Sequence, residues 1–338
     1  MCGLLSSLFS LPPSHHLANM KLILSTSNIT APSVQRGAKT KSNAELVDSL
    51  RSNFEAHYGA LPNGHADGGS RHPSSRPSYK AWTRRKDDTL EIPALTFTEP
   101  LQEEEDQYDI TLKLFYLPLG PVSKRGAQTR DALDLVLREL NVRSVDLLIV
   151  SFPGIYFDEE ENCPEKLSTR GPVESEPESM ETQVETWRML EKLCDEGLVK
   201  RLGIAEFGHD RLQSFLEKTR IKPSVDQINL RDCCSVPKDL LTLAKSQNVQ
   251  LLVHNDCSNI LPRGSLRELL GPGEGGAGVL AEAPKVGDKR KSVHGEPDDL
   301  LTGEVIPAWV LKYTALVKAR GVLESRGYFA GAELETQA

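Results

Sequence analysis

Residues 145–152 read VDLLIVSF. A strand this continuously apolar cannot present alternate side chains to water. It needs cover on both faces, which is the situation of a parallel strand in a sheet flanked by helices. The flanking patterns agree. Upstream, Leu133, Val136, Leu137 and Leu140 recur at the spacing of a helix with one face on a core. Downstream, after an acidic, proline-rich loop to about Glu178, Val184, Trp187, Leu190 and Cys194 mark a second helix. Gly197 sits where such a helix should stop. The alternation continues with a strand over Val199–Ala205 and a helix carrying Leu212, Phe215 and Leu216. A strand over Val225–Leu230, a helix over Lys238–Ser246 and a strand over Val249–His254 follow. Such alternation leaves two architectures, an open doubly wound sheet or an eight-unit barrel.

The remaining segments favour the barrel. Lys21–Leu24, Ile92–Phe97 and Asp109–Leu117 read as strands. Ser42 and Glu45 have capping-box spacing ahead of a helix bearing Leu46, Val47, Leu50 and Phe54. Ile306–Tyr313 reads as helical, followed by an apolar stretch at Leu316-Val317. With eight candidate strands, the predicted fold is α/β, a single (β/α)8 TIM-type barrel, although little room remains for a helix between its second and third strands. The expected organisation is a flexible tail over 1–19, one barrel domain over 20–331 and a short tail over 332–338. Inserts at about 61–80 and 271–300, rich in Gly, Pro, Ser and charge, are expected to be disordered. Met20 is an alternative start. Trp187 and Trp309 read as core.

Composition removes several function classes. With 38% hydrophobic residues the chain can build a core. A net charge of −8 is the wrong sign for a general nucleic-acid binder. No apolar run reaches the roughly 18 residues of a membrane span. The 6 cysteines form no Cys-x-x-Cys, and the 8 histidines do not cluster with them, so neither a disulfide scaffold nor a metal site is expected. The start, Met1 to Leu11, lacks a basic region and is broken by Pro12-Pro13, so no signal peptide is expected and a cytoplasmic location follows.

The strings LEKLCDEGLVKRLGIAEF, KPSVDQINL and VQLLVHND, preceded by VDLLIVSFP, resemble the aldo-keto reductase superfamily. Its members carry EGKV–xxIGVSNF, KPxxNQxE, LVAYSPL and DLYLIHWP segments in the same order. The resemblance implies a barrel that reduces carbonyls with NADPH, using a Tyr acid tuned by Lys and His, with an Asp paired to the Lys. A tuned acid is needed because an ordinary phenol near 10 is a poor proton donor at pH 7. Lys113 matches the Lys. Ser151 stands in place of the His, and no segment matches the Asp and Tyr. Ala205-Glu206 replaces the nicotinamide-binding Ser-Asn. Gln227 is kept, His254 stands for the stacking Tyr, and the phosphate grip has no counterpart near Lys318. Lys113 and Ser151 are therefore vestigial catalytic positions, and Gln227 and His254 vestigial cofactor positions.

A narrower resemblance rests on DCCSVPKDL, LLVHND and VKARGVLESRGY. These strings are similar to the modifier (regulatory) subunits of glutamate–cysteine ligase, a non-catalytic offshoot of the superfamily. That resemblance implies a heterodimer with the ligase catalytic subunit, higher apparent glutamate affinity, relief of feedback inhibition by glutathione and no cofactor of its own. Weak NADPH binding stays open. The alternative is an NADPH-dependent aldo-keto reductase. Cys233, Cys234, Lys318 and Arg320 are candidate partner contacts. The paired cysteines are equally read as buried strand-end residues, and the cationic set Lys312, Lys318, Arg320 and Arg326 as a solvated face. Lys113 is expected to be ion-paired inside the barrel mouth. Asn255-Asp256 lies at the strand end where barrel sites form.

Overall fold

The computed structural model describes residues 19–30, 42–60, 77–98, 100–157, 175–230, 235–257, 259–273, 275–282 and 300–335. Its centre is a run of four consecutive β/α units. Strand β4 (Tyr108–Tyr116) leads to helix α2 (Arg125–Leu140), β5 (Val145–Ser151) to α3 (Met180–Asp195), and β6 (Val199–Ala205) to α4 (His209–Lys218). Strand β7 (Val225–Ile228) leads to α5 (Lys238–Ser246), and β8 (Gln250–Val253) closes the series. These strands are mutually parallel. Leu148 and Val150 face the helices and are buried with Trp187, Leu190 and Phe215, which explains the two-sided apolarity of VDLLIVSF. Full burial of each such side chain contributes about 1.5–3 kcal/mol. Helix α3 starts on Ser179, whose hydroxyl accepts the Thr182 N–H, and the turn after it passes through Gly197 at φ +75°.

Around this run the sequence reading needs correction. The described residues form ten strands, in the order β2 (Arg84–Lys86), β3 (Thr89–Ile92), β1 (Met20–Ser25), β10 (Val322–Glu335), β9 (Glu304–Val317), β4, β5, β6, β7 and β8. Strand β1 (Met20–Ser25) pairs in parallel with β3 (Thr89–Ile92), which forms a short hairpin with β2 (Arg84–Lys86). The second strand is Thr89–Ile92, so it ends at the residue where the expected strand, Ile92–Phe97, begins. Among the described residues, the 3-10 turn Glu105–Gln107 is the one regular element between Pro93 and β4. The segment read as a helix over Ile306–Tyr313 is part of strand β9 (Glu304–Val317), and the chain returns as β10 (Val322–Glu335). This antiparallel hairpin stands between β1 and β4.

Helix α1 (Ser42–Gly59) lies on the opposite sheet face from α2–α4, its Leu46, Leu50 and Phe54 buried with Leu22, Leu24, Tyr328 and Ala330. Its capping box does not form. The Ser42 hydroxyl accepts the Cys257 N–H at 2.7 Å, and Glu45 binds Arg326 and Tyr328 instead. The second insert is shorter than expected. After α6 (Ser265–Leu270), Ala277, Val279 and Leu280 are buried, and Leu280 bridges to Leu301. The first insert also ends early, since Tyr79 and Trp82 are buried. Residues 61–76 and 283–299, with the tails 1–18 and 336–338, lie outside the described residues. No described helix is long and apolar enough to cross a membrane.

Candidate functional site at the sheet mouth

The C-terminal ends of β4–β8 converge on a buried charged cluster. Lys113 comes from β4 and lies in register with Lys312 of β9. Both reach Asp256, just beyond β8: Lys113 Nζ donates to Oδ2 at 2.9 Å and Lys312 Nζ to Oδ1 at 2.8 Å. Asp256 and Lys113 are buried, and Lys312 is partly so. Burial alone would raise the Asp256 carboxyl, but the two ammonium groups reverse this and hold it well below the usual carboxylate range. Burial pulls the Lys113 ammonium below the ordinary lysine value, with Asp256 opposing.

His254 links this cluster to Glu206. Its Nδ1 accepts the Asp256 backbone N–H at 3.0 Å, so the ring proton of the neutral form sits on Nε2. That nitrogen lies 2.7 Å from Glu206 Oε1, a close contact without in-line hydrogen-bond geometry. Glu206 adopts φ +67°, unusual for a residue with a side chain, and its Oε2 accepts the Phe157 N–H at 3.0 Å. Asp226, fully buried on β7, accepts the Phe207 N–H on Oδ1 while Oδ2 has no partner. Burial, with Glu206 adding to it, pushes its carboxyl well above the ordinary value, although the Phe207 N–H and Lys113 pull the other way. Gln227 Oε1 is also buried without a partner. No group of three or more His, Cys, Asp or Glu suited to a metal occurs among the described residues.

The sequence candidates divide. Lys113, Gln227, His254 and Ser151 come from strands whose C-terminal ends meet at the mouth. Lys318 and Arg320 lie at the other end of the sheet, past the Val317–Tyr108 pair, where Lys318 Nζ donates to the Asp106 carbonyl and Arg320 pairs with Glu103. Arg326 pairs with Glu45. The C-terminal cations are therefore dispersed rather than one solvated face. Cys233 and Cys234 lie outside the described residues. Sequence reasoning placed Asp256 at the mouth without its partners, and did not single out Asp226 at all. A lone acid inside the strand VDQI was the available signal.

A model of the aldo/keto reductase family matches residues 93–268, slightly more than half of the chain. The chain belongs to the aldo/keto reductase family. It is also similar, at 26% identity over 231 residues, to the glutamate–cysteine ligase regulatory subunit of Homo sapiens, covering 68% of each chain. A putative glutamate–cysteine ligase regulatory subunit of Schizosaccharomyces pombe is 25% identical over 240 residues, covering 70% of this chain and 75% of that one. An aldo/keto reductase of Synechocystis sp. is 32% identical, but over only 124 residues, 37% of this chain and 36% of its own.

Against the chemistry that the reductase resemblance implies, Lys113 and Gln227 are kept while their described surroundings differ. The acid needs a phenol below its ordinary value. Tyr108, Tyr116, Tyr313 and Tyr328 are all shifted upward, chiefly by burial, Tyr116 to about 12. Their hydroxyls are committed to Glu324, Thr129, Glu139 and Glu45 respectively. Lys113, expected to be ion-paired inside the barrel mouth, pairs with Asp256, just beyond β8. The described residues do not match the NADPH contacts that the resemblance implies. Where the family places a neutral Ser-Asn for the nicotinamide amide, Glu206 offers a carboxylate already bound to Phe157 and facing His254. The stacking position holds His254, tied to Asp256. The cations near the phosphate-grip segment stand at the far end of the sheet.

Proposed function

We propose that the chain is a non-catalytic regulatory subunit of glutamate–cysteine ligase. In this reading it forms a heterodimer with the ligase catalytic subunit in the cytoplasm, raises its apparent affinity for glutamate and relieves feedback inhibition by glutathione. The observation that carries the reading is the likeness to regulatory subunits over 231 residues. The mouth supports it, since Lys113 is locked between Asp256 and the sheet and the buried Tyr108, Tyr116, Tyr313 and Tyr328 are all shifted away from the range of an acid. Groups that act as a unit lose their effect together, so such a mouth has little basis for hydride-coupled proton transfer. Regulation of this kind is a coupling free energy, with the subunit binding one conformation of its partner more tightly than the other.

The test has two arms. The purified chain is mixed with the purified catalytic subunit and analysed by sedimentation, and separately assayed for NADPH oxidation with simple aldehydes. A stable complex without NADPH turnover is expected. Steady turnover abolished by Lys113→Met, with no complex formed, would establish the reductase alternative instead.

A further inference from the structure

The sheet has two edges of opposite character. At one, β2 presents Arg84, Arg85 and Lys86, all exposed. Charged side chains of this kind keep an edge from pairing with another chain. At the other, β8 reads Gln250-Leu251-Leu252-Val253, with no charge and no proline. The Gln250 and His254 N–H groups donate to Ser224 and Ile228 of the β7 side, and β8 runs parallel to β7. By the alternation of a parallel ladder, the N–H and C=O groups of Leu251 and Val253 point away from β7. Val253 is 61% exposed, and no strand covers this edge among the described residues.

We infer that the free edge of β8 receives an extended segment of the partner protein as an added strand, an inference that rests on the regulatory-subunit reading above. Backbone hydrogen bonds supply the pairing in this mode and alternate side chains supply the specificity. Leu251 and Val253 face one side and Leu252 the other, so the incoming segment is apolar on both faces. Its flank is acidic. Lys245, in the last turn of α5, precedes β8, is exposed and makes no ion pair among the described residues. A second copy of this chain is a poorer occupant, since two bodies of charge −8 repel.

The test measures affinity for the intact ligase catalytic subunit. Val253→Pro removes an N–H that β7 does not use, and Val253→Lys places a charge on the edge. Each is expected to weaken the complex at least tenfold, while Val253→Thr, which keeps the N–H, changes it less than threefold. Amide exchange in the peptide spanning 249–254 should slow at least tenfold in the complex, a readout that holds even if the proline variant fails to fold. Unchanged affinity for Val253→Lys together with unchanged exchange overturns the inference while leaving the functional reading intact. A wild-type chain that does not bind the catalytic subunit overturns both. An isolated chain that sediments as a dimer and becomes monomeric on Val253→Lys assigns the edge to a second copy and also overturns it.

Discussion

Asp256→Asn is the sharpest perturbation of the mouth. The replacement keeps the shape of the side chain and deletes its charge, leaving Lys113, 5% exposed, and Lys312, 20% exposed, without a counter-ion. Breaking a buried ion pair from one side costs about 3–5 kcal/mol. Lys113 can shed its proton, since burial already lowers its value, so the expected loss is at the low end, about 3 kcal/mol. At about 2–4 °C per kcal/mol for a domain of moderate size, the melting temperature should fall by roughly 6–12 °C. Lys113→Met leaves Asp256 its Lys312 partner, and the double variant removes the orphaned cation, so it should be more stable than Asp256→Asn alone. The pH dependence has a definite sign. A carboxyl held below its unfolded value, about 3.9, stabilises fully above that value and loses its contribution as pH falls toward the folded one. The gap between wild type and Asp256→Asn should hold from pH 7 to about pH 5 and close below about pH 4. Urea unfolding and thermal melts, both followed by tryptophan fluorescence, read these changes. A gap under about 1 kcal/mol at pH 7, or a double variant less stable than Asp256→Asn, would refute the assignment of the cluster as a coupled ion pair.

Three further outcomes follow from single observations. Asp226, raised and half-satisfied, behaves oppositely to Asp256: its folded state favours the proton, so stability is lost as pH rises from about 4 toward the elevated value. Asp226→Asn should therefore be more stable than wild type at pH 7.5, with the gain shrinking at pH 4.5 in urea titrations. At Gly331, a Cβ would lie 2.2 Å from the Trp309 ring, so Gly331→Ala should destabilise by about 1–3 kcal/mol or more by urea unfolding. Replacing Cys233 and Cys234 with Ser should leave affinity for the catalytic subunit within tenfold under reducing conditions, because a non-covalent interface of standard size suffices.

The parts legible in the sequence were short elements bounded by turn residues, such as Gly197 and Gly208 around β6 and Pro237 ahead of α5. Helix α5 is found at the bounds read from spacing, Lys238–Ser246, and β6 likewise at Val199–Ala205. Strand β9 was misread because Ala308–Leu311 is buried on both faces, with Trp309 and Leu311 in the cluster of the α2 side and Val310 in that of the α1 side, so the alternation that returns from Leu311 to Val317 is lost in the first half of the strand. Strand β10 was hidden by Gly327 and Gly331, which score poorly as strand formers but stand where Cβ atoms would strike Tyr313 and Trp309. The mouth was half legible. Lys113 stood out by its segment, yet its pairing with Asp256 spans 143 residues and is created by the curl of β4–β8, which no local pattern encodes.

Regulatory coupling without chemistry is measured directly by titrating the purified ligase catalytic subunit with this chain and reading glutamate KM and glutathione inhibition at each ratio. The account predicts that KM falls and inhibition weakens to saturation near a fixed stoichiometry, by several-fold to about a hundredfold, the range of a coupling of about 1–3 kcal/mol. Both parameters staying flat to a large molar excess would contradict it.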